Sequence, residues 1–513
     1  MGHFGFVSLL PFSLALFFLI WKEDVVFPVL GGLFIGSIIA SKLNPYHGFM
    51  NLAGSLITSA LLENRNLLTL LIISEALILY SILSVNGSLS VLMRILSKRF
   101  AERRRLEILV AAANLVIFLD RHFAALLVGM FTRPFAEKRK LHPVKHAYLL
   151  NTVSSGLSTL VPLSTLMPFV LSGVGTALAG IGIGYSPLKA FYHSIPYQYY
   201  NIFSLFIVAS TILLDKDIFL MRRYAGELDG QVDAQQSPSF ISFGCSSIGR
   251  KSQDNQKLAF IGMVASLALV FAALVGGLLM NRAGIREQGV SGAKGYQVSF
   301  VTALFTGIIF SLLFSFATKS VSYRELREKR SAVPKPLLIA FLSITLAFAA
   351  GGLADRLNLA NSAMAFLAGR PLRPGALPLI VFLFSSLVSF LSGSTPLTIT
   401  AVMPIAVRLV SRNMTDPLIV EPLLFAAIGS VLSGASFGDM NSPFSVTFLI
   451  STASAETSVS SHFKSQAGYS LLAFAATIVA GYLLLMLGIK PYLSIAAGAL
   501  LIGLAFLGLN RTK

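Results

Sequence analysis

The sequence predicts an all-α polytopic membrane protein with about twelve transmembrane helices, arranged as two inverted repeats with broken helices and re-entrant segments. Three observations lead to this prediction: apolar runs long enough to span a membrane, a second half that repeats the pattern of the first, and basic loops placed differently in the two halves. Hydrophobic residues make up 55% of the 513 residues and charged residues only 12%, and the mean hydropathy is +0.77. A soluble domain does not carry such a composition on its surface.

The predicted spans are illustrated by the apolar runs at 25–40, 67–83, 258–280 and 471–489. Each is close to the roughly 20 residues that a helix needs to cross a ~30 Å hydrocarbon core. Residues 1–26 lack a basic n-region and a small-residue cleavage site, so we expect an uncleaved first span. We therefore expect a multi-pass protein in the lipid bilayer of the plasma membrane, the inner membrane of a prokaryote.

The basic residues lie in short loops, so the formal net charge of +18 does not indicate a nucleic-acid partner. Four basic segments, 94–105, 133–145, 215–257 and 319–335, are assigned to the cytoplasm by the positive-inside rule. Cys245 is the single cysteine, which excludes an intramolecular disulfide.

No paired metal-ligand cluster or P-loop lysine is evident in the sequence. We therefore expect no structural metal and no cofactor. Any transport would be driven by a gradient rather than by ATP.

The chain divides into three predicted regions. Residues 1–214 form an N-terminal transmembrane half with the first repeat, and residues 258–513 form a C-terminal half with the second. Between them, residues 215–257 are the only long hydrophilic insertion, which indicates a cytoplasmic linker.

The two halves share a pattern of interrupted apolar segments. Residues 115–138 have the outline of 387–409, and residues 151–169 parallel 429–448. The loop after the first segment is strongly basic and its counterpart is not, so we expect the repeats to be inverted in the membrane. Inverted repeats with helices broken near the midplane are typical of secondary transporters.

The stretch "GASFGDMNSPFS" in the second half combines helix-breaking residues with oxygen-bearing side chains. We expect Gly438 and Pro443 to interrupt the helix. Side-chain oxygens that suit a hard cation or a proton come from Asp439, Asn441, Ser442 and Ser445. The alternative is that Asp439 only caps nearby amides at the break.

In the first half, "FLDRHF" places Asp120, Arg121 and His122 at the end of an apolar run. We expect Asp120 to reach the same cavity as Asp439, with Arg121 as a built-in counter-charge. The alternative is a local ion pair at a helix end. His122 and His462 are candidates for a proton relay, although a single histidine is more often a packing residue.

Paired serine and threonine tracts surround Pro162 and Pro396, which we expect to break helices. The candidate ligands in these tracts are Ser164, Thr165, Ser394 and Thr395. Such side chains often bond their own backbone, so a structural role is the alternative.

These motifs resemble those of NhaC-like Na+/H+ antiporters, a family that includes malate/lactate antiporters. The family's Gly-Asp and Ser-Pro signature is similar to "GASFGDMNSPFSVTFLISTAS". A second family motif is similar to the segment that begins with "FLDRHF" and ends at residue 165, and a third is similar to "HFKSQAGYSL". The similarity covers most of residues 65–490. It implies site roles for Asp120, Asp439, Ser442, Pro443 and Thr447.

The sequence departs from the family pattern at positions that bear on cation binding. Arg121 stands where a second aspartate is usual, Ala124 where an asparagine is, and Asn151 and Val446 where aspartates are. Asn151 is kept as a candidate ion-binding residue. A site that has lost negative charge binds Na+ less well.

We therefore expect one of two alternative transport functions. The first is cation (Na+)/proton antiport or proton-coupled exchange. The second is transport of a small organic anion, such as malate or lactate, on Arg121. An intramembrane aspartyl protease, suggested by "FLD" and "FGD", and a non-transporting sensor or scaffold are the alternatives from other classes. A homodimer is an open alternative for assembly.

Overall fold

A computed structural model describes residues 5–22, 26–56, 63–99, 102–227, 253–280, 289–321, 335–359, 373–412 and 417–508. Throughout these ranges the regular structure is helical, which confirms the predicted all-α class.

The α-helices, numbered in chain order, are α1 Leu10–Lys22, α2 Val26–Ala40, α3 Pro45–Met50, α4 Asn64–Val85, α5 Ser88–Arg99, α6 Arg103–Val116, α7 Arg121–Lys138, α8 Pro143–Leu160, α9 Met167–Ala179, α10 Pro187–Ser194, α11 Tyr199–Leu214, α12 Phe219–Glu227, α13 Gln253–Met280, α14 Gly289–Ala317, α15 Lys335–Arg356, α16 Leu377–Ser392, α17 Thr395–Arg412, α18 Pro417–Asn441, α19 Val446–Ser454, α20 Val459–Ala476, α21 Leu484–Met486 and α22 Pro491–Gly508. The remaining helical turns are the 3-10 segments Gly5–Leu9, Ile195–Tyr197 and Pro374–Ala376 and the π segments Asn51–Leu56 and Thr477–Leu483.

Within the described residues, seven stretches are long and apolar enough to cross a membrane. They are Asn66–Val85, Lys257–Gly277, Gln297–Ala317, Pro374–Ser392, Glu421–Ser454, Val459–Met486 and Pro491–Gly508. Shorter apolar helices occur at Val7–Leu19, Val26–Ala40 and Met167–Ala179. The expected total of about twelve spans stays a prediction.

Each half contains two interrupted helices in the part of the chain that the structure describes. In the first half, α6 and α7 are separated by residues 117–120, and α8 and α9 by residues 161–166. In the second half, α16 and α17 are separated by residues 393–394, and α18 and α19 by residues 442–445. These four breaks lie in the segments that the repeat pattern pairs. The opposite orientation of the halves in the membrane stays a prediction.

Helix α8 lies at the centre of the bundle and is buried over almost its whole length. It packs against helices from both halves, namely α6, α7, α11, α12, α18, α19 and α20. Its buried face carries polar side chains such as Asn151, Ser155 and Thr159. Polar groups at this depth need partners inside the protein, so the interior of the bundle is built around hydrogen bonds as well as apolar packing.

Helices α16 and α18 approach closely because glycines on α18 face serines on α16. A Cβ atom at Gly438 would lie 2.1 Å from Ser389 Oγ, and one at Gly434 would lie 2.4 Å from Ser385 Cβ. Small residues at helix contacts allow this approach in membrane proteins. The prediction that Gly438 breaks the helix is wrong: it lies inside α18, and the break begins at Ser442, next to Pro443.

A buried cluster of charges joins α6, α8 and α20. Lys145 Nζ lies 2.8 Å from Glu107 Oε1 and 3.0 Å from Asp217 Oδ1, and the Lys145 and Glu107 side chains are 1% and 0% exposed. Arg103 contacts both carboxylates, at 3.1 Å and 3.0 Å. The Tyr469 hydroxyl donates to Asp217 Oδ1 at 2.9 Å. Each buried charge is therefore paired, as its desolvation requires.

Asp217 belongs to the predicted linker 215–257, whose first part is folded. Helix α12 packs against α20 and α8. Residues 228–252, including Cys245, lie outside the described residues. The linker and the three-region division stay predictions.

Replacing Lys145 by methionine should destabilise the protein, because Glu107 and Asp217 would remain buried with only Arg103 to compensate them. Breaking a buried pair typically costs about 3–5 kcal/mol. Thermal unfolding of the purified protein in detergent should show a clearly lower midpoint. The control is Arg105→Met, which removes an exposed pair with Glu102 and should change the midpoint little. Equal midpoints for the two variants would contradict a stabilising role for the cluster.

Gly438→Ala should lower the yield and thermal stability of folded protein, because the new Cβ would overlap the Ser389 backbone as well as its hydroxyl. Overpacking of this kind typically costs about 1–3 kcal/mol or more. Gly276→Ala on α13 is a matched control, since a Cβ there meets no atom within 4 Å. A wild-type unfolding midpoint for Gly438→Ala would show that the two helices can move apart without cost.

Candidate functional site

Three of the four helix breaks contribute residues to the lining of a cavity of about 270 Å³, and the fourth is flanked in the chain by two lining residues, Asp439 and Val446. Its lining comprises Glu63, Asn66, Thr69, Asp120, Arg121, His122, Thr165, Leu166, Phe169, Gln297, Ala347, Phe348, Gly351, Gly352, Asp355, Gly393, Ser394, Pro396, Leu397, Thr400, Asp439 and Val446. The cavity therefore receives side chains from both predicted repeats. Non-helical backbone at membrane depth is expected where it borders such a cavity.

The two breaks of the first half are joined through Asp120 and Thr165. Asp120 caps α7, accepting a hydrogen bond on Oδ1 from the Phe123 amide at 2.8 Å. Its Oδ2 accepts from the Thr165 hydroxyl at 2.7 Å, and the Thr165 amide donates to Leu119 O at 2.9 Å. Asp120 thus holds the two breaks together by hydrogen bonds. Both of its carboxylate oxygens already accept one.

The two breaks of the second half touch at Gly393. This residue ends α16 with φ of +64°, in the left-handed region that favours glycine. A Cβ there would lie 2.4 Å from Phe444 O, so the close approach of the two breaks also requires glycine. Beyond the contact, Ser445 caps α19 by accepting from the Phe448 amide at 3.4 Å.

Asp439 lies in the last turn of α18 and contacts both halves. Its Oδ1 accepts hydrogen bonds from the Ser445 hydroxyl at 3.0 Å and the Thr447 hydroxyl at 3.4 Å. Its Oδ2 lies 3.5 Å from Arg121 Nη1, and both side chains are less than 10% exposed. Neither of these two atoms makes a hydrogen bond within the described residues. The pair is longer than the ~2.7–2.9 Å of a charge-assisted hydrogen bond, so it is a loose one.

His122 joins this network through Thr447, whose hydroxyl lies 3.1 Å from His122 Nδ1. When the hydroxyl donates to Asp439, it accepts from Nδ1–H, which fixes the histidine tautomer. Asp439, Thr447 and His122 therefore form a continuous hydrogen-bonded path from α18 to α7.

The charges that line the cavity are mostly negative. Carboxylates come from Glu63, Asp120, Asp355 and Asp439, whereas the guanidinium of Arg121 is the one fixed positive charge among the lining residues. Such a lining favours the entry of cations over anions. Within the described residues, however, three or more His, Cys, Asp or Glu side chains do not come together as a metal site.

The predicted site residues separate into three groups. Those that line the cavity are Asp120, Arg121, His122, Thr165, Ser394, Pro396 and Asp439. Ser445 and Thr447 contact Asp439 without lining the cavity. Those placed elsewhere are Asn151, Pro162, Ser164, Thr395, Gly438, Asn441, Ser442, Pro443 and His462.

Members of the last group have other partners. The Ser164 hydroxyl donates to Ser158 O, and His462 contacts the Thr452 hydroxyl at 2.7 Å while stacking on Phe448. His462 does not line the cavity, and its role in a proton relay stays a prediction. Asn151 and Asn441 belong to a separate amide network described below.

Sequence reasoning missed part of the lining, namely Glu63, Asn66, Thr69, Gln297 and Asp355. The sequence contains only a weak indication that these residues line a cavity. Asn66 and Thr69 lie three residues apart on one face of α4, and Gln297 is an amide inside the otherwise apolar run of α14. Their convergence depends on helix packing, which no local pattern shows.

A comparison with known proteins identifies the family of the chain. The model of the Na+/H+ antiporter family matches residues 166–488. The chain belongs to the Na+/H+ antiporter family. Membership confirms the resemblance predicted from the sequence motifs and implies a multi-pass membrane transporter rather than an enzyme.

The match to the antiporter family includes Asp439 and both breaks of the second half. Asp120, Arg121 and Asn151 precede the matched segment. A curated relative, an uncharacterized protein of Haemophilus influenzae, is 24% identical over 489 residues, which cover 93% of this chain and 90% of the relative.

Proposed function

We propose that this protein is a gradient-driven antiporter that exchanges a small cation, such as Na+, for protons. The observation that best supports the proposal is the acid-rich cavity bordered by residues of three helix breaks, with Asp439 in its wall. Membership of the Na+/H+ antiporter family agrees with it. We further propose that the protein lies in a prokaryotic inner membrane, with its two halves as inverted repeats.

Asp439 is the proposed exchange group. Its carboxylate can hold either a proton or a cation, and the Ser445 and Thr447 hydroxyls beside it supply the hard oxygen atoms that Na+ prefers. In one transport cycle Asp439 releases its proton to one side of the membrane and binds a cation from that side. The cation is then released on the other side, where Asp439 takes up a new proton. The path through Thr447 to His122 offers a route for the proton.

Arg121 is the proposed internal counter-charge for Asp439. An unpaired buried carboxylate is costly, and the guanidinium 3.5 Å away compensates it when neither a proton nor a cation is bound. Because the pair lacks a hydrogen bond, an entering cation displaces a loose contact rather than a strong one.

The second candidate, transport of an organic anion, depends on Arg121 as an anion ligand. In the structure this guanidinium lies against Asp439, and the lining contains four carboxylates. A carboxylate substrate would meet repulsion from each of them. The geometry therefore favours the cation.

Asp439→Asn should reduce cation/proton exchange by about 100-fold or more, because an amide cannot accept and release the proton. The assay uses proteoliposomes with an imposed pH gradient and adds Na+, Li+, K+ or a panel of carboxylates in turn. Asp215→Asn is the control, since Asp215 is exposed at the end of α11 and asparagine tolerates its left-handed φ of +50°. Unchanged exchange in the Asp439 variant would contradict the proposal.

Arg121→Gln separates the two candidate substrates. If Asp439 binds a cation, the variant should keep exchange activity and show an apparent cation KM several-fold lower, because the guanidinium no longer competes for Oδ2. If an organic anion is the substrate, carboxylate transport should disappear. The control is Arg412→Gln, at an exposed position on α17. Carboxylate transport that the wild type shows and Arg121→Gln lacks would favour the second candidate.

A further inference from the structure

The end of helix α18, which carries Asp439, is held by two amide side chains from other helices. The carbonyl of Met440 accepts hydrogen bonds from Asn151 Nδ2 at 2.6 Å and from Gln466 Nε2 at 2.7 Å. Asn151 lies on α8 and Gln466 on α20, so three helices meet at this carbonyl. Asn151 is 0% exposed and Gln466 is 2% exposed.

The break explains why this carbonyl needs side-chain donors. In a continuous helix Met440 O would accept from the amide of residue 444. The Phe444 amide instead donates to Ser442 Oγ at 3.2 Å. A buried carbonyl without a partner costs about 1–3 kcal/mol, more in a membrane interior, so the two amides replace the lost bond.

The two amides also bond to each other and form a closed ring with the carbonyl, here called the amide clamp (Asn151, Gln466 and Met440 O). Asn151 Nδ2 donates to Gln466 Oε1 at 3.2 Å, and Gln466 Nε2 donates to Asn441 Oδ1 at 3.2 Å. All four amide hydrogens of Asn151 and Gln466 are thereby used. Asn441 continues the network, because its Nδ2 donates to the Tyr200 hydroxyl at 2.7 Å.

The clamp also gives a physical reason for Asn151. An aspartate, which the family resemblance would lead one to expect at this position, offers no donor when ionised and would place an oxygen against Met440 O. The Asn151 amide supplies two N–H donors for the two acceptors beside it, Met440 O and Gln466 Oε1. The change from carboxylate to amide is therefore accounted for by hydrogen bonding at the helix end.

We propose that Asn151 and Gln466 are positioning residues for Asp439, which act without touching the transported ion. Neither lines the cavity, and the carbonyl that they hold belongs to the residue next to Asp439. The clamp fixes the end of α18 relative to α8 and α20, and with it the distances from Asp439 to Arg121, Ser445 and Thr447. The role in exchange rests on the proposed function.

The test uses Gln466→Leu and Asn151→Leu, which keep the approximate side-chain volume and remove the donors. Both variants should raise the apparent cation KM by about tenfold, as loss of a supporting hydrogen bond does at other ion sites, with a smaller effect on the maximal rate. The double variant should be worse than either single one, because each single variant leaves Met440 O one amide donor and the double variant leaves it none. Ser465→Ala is the control: its buried hydroxyl donates to His462 O on its own helix.

A second measurement does not require transport. Hydrogen–deuterium exchange of the full-length protein in lipid nanodiscs should be faster across residues 440–449 in both leucine variants than in wild type or Ser465→Ala. A wild-type KM in both variants, a reduced maximal rate with unchanged KM, or unaltered amide exchange across 440–449 would overturn the proposal. If the wild-type protein exchanges no cation for protons, the proposed function fails, and the amide exchange still decides whether the clamp holds the helix end.

Discussion

Backbone groups that leave a helix inside a bilayer must find partners within the protein, and the four breaks of this chain are where that requirement is met. The breaks are held by different kinds of contact. Thr165 bonds Leu119 and Asp120, the missing side chain of Gly393 admits the Phe444 carbonyl, and two amides replace the helical partner of Met440. Asp120, Thr165 and Gly393 line the cavity, so the contacts that hold these breaks also place polar groups there.

Charge is distributed in the molecule in two distinct ways. The cluster around Lys145 pairs every charge at close range and ties the start of the linker region to α6, α8 and α20. At the cavity the Arg121–Asp439 pair is long and has no hydrogen bond. The first arrangement suits a fixed joint. The second is a loose contact, which suits the cation exchange proposed for Asp439.

The sequence was sufficient for the helical class, since the apolar runs at 67–83 and 258–280 lie within α4 and α13. Pro162 and Pro443 marked two breaks correctly because proline removes a backbone donor. Gly438 was misjudged, because the same residue that loosens a helix also permits close packing, and only the position of Ser389 distinguishes the two. Ion binding by Asn151 stays a prediction, and its hydrogen bond to Gln466, 315 residues away in the chain, had no counterpart in the sequence motifs. Contacts over such separations follow from packing and have no local sequence signal.

The contact between α16 and α18 has a mechanical consequence. At most helix contacts, side chains separate the two backbones. At Gly434 and Gly438 the α18 backbone instead lies directly against Ser385 and Ser389. Ser389 also donates a hydrogen bond of 2.6 Å to Ala435 O, which fixes the register of the two helices along their axes. The two helices therefore pack as one unit, and a displacement of α16 along its axis would carry the end of α18 and Asp439 with it.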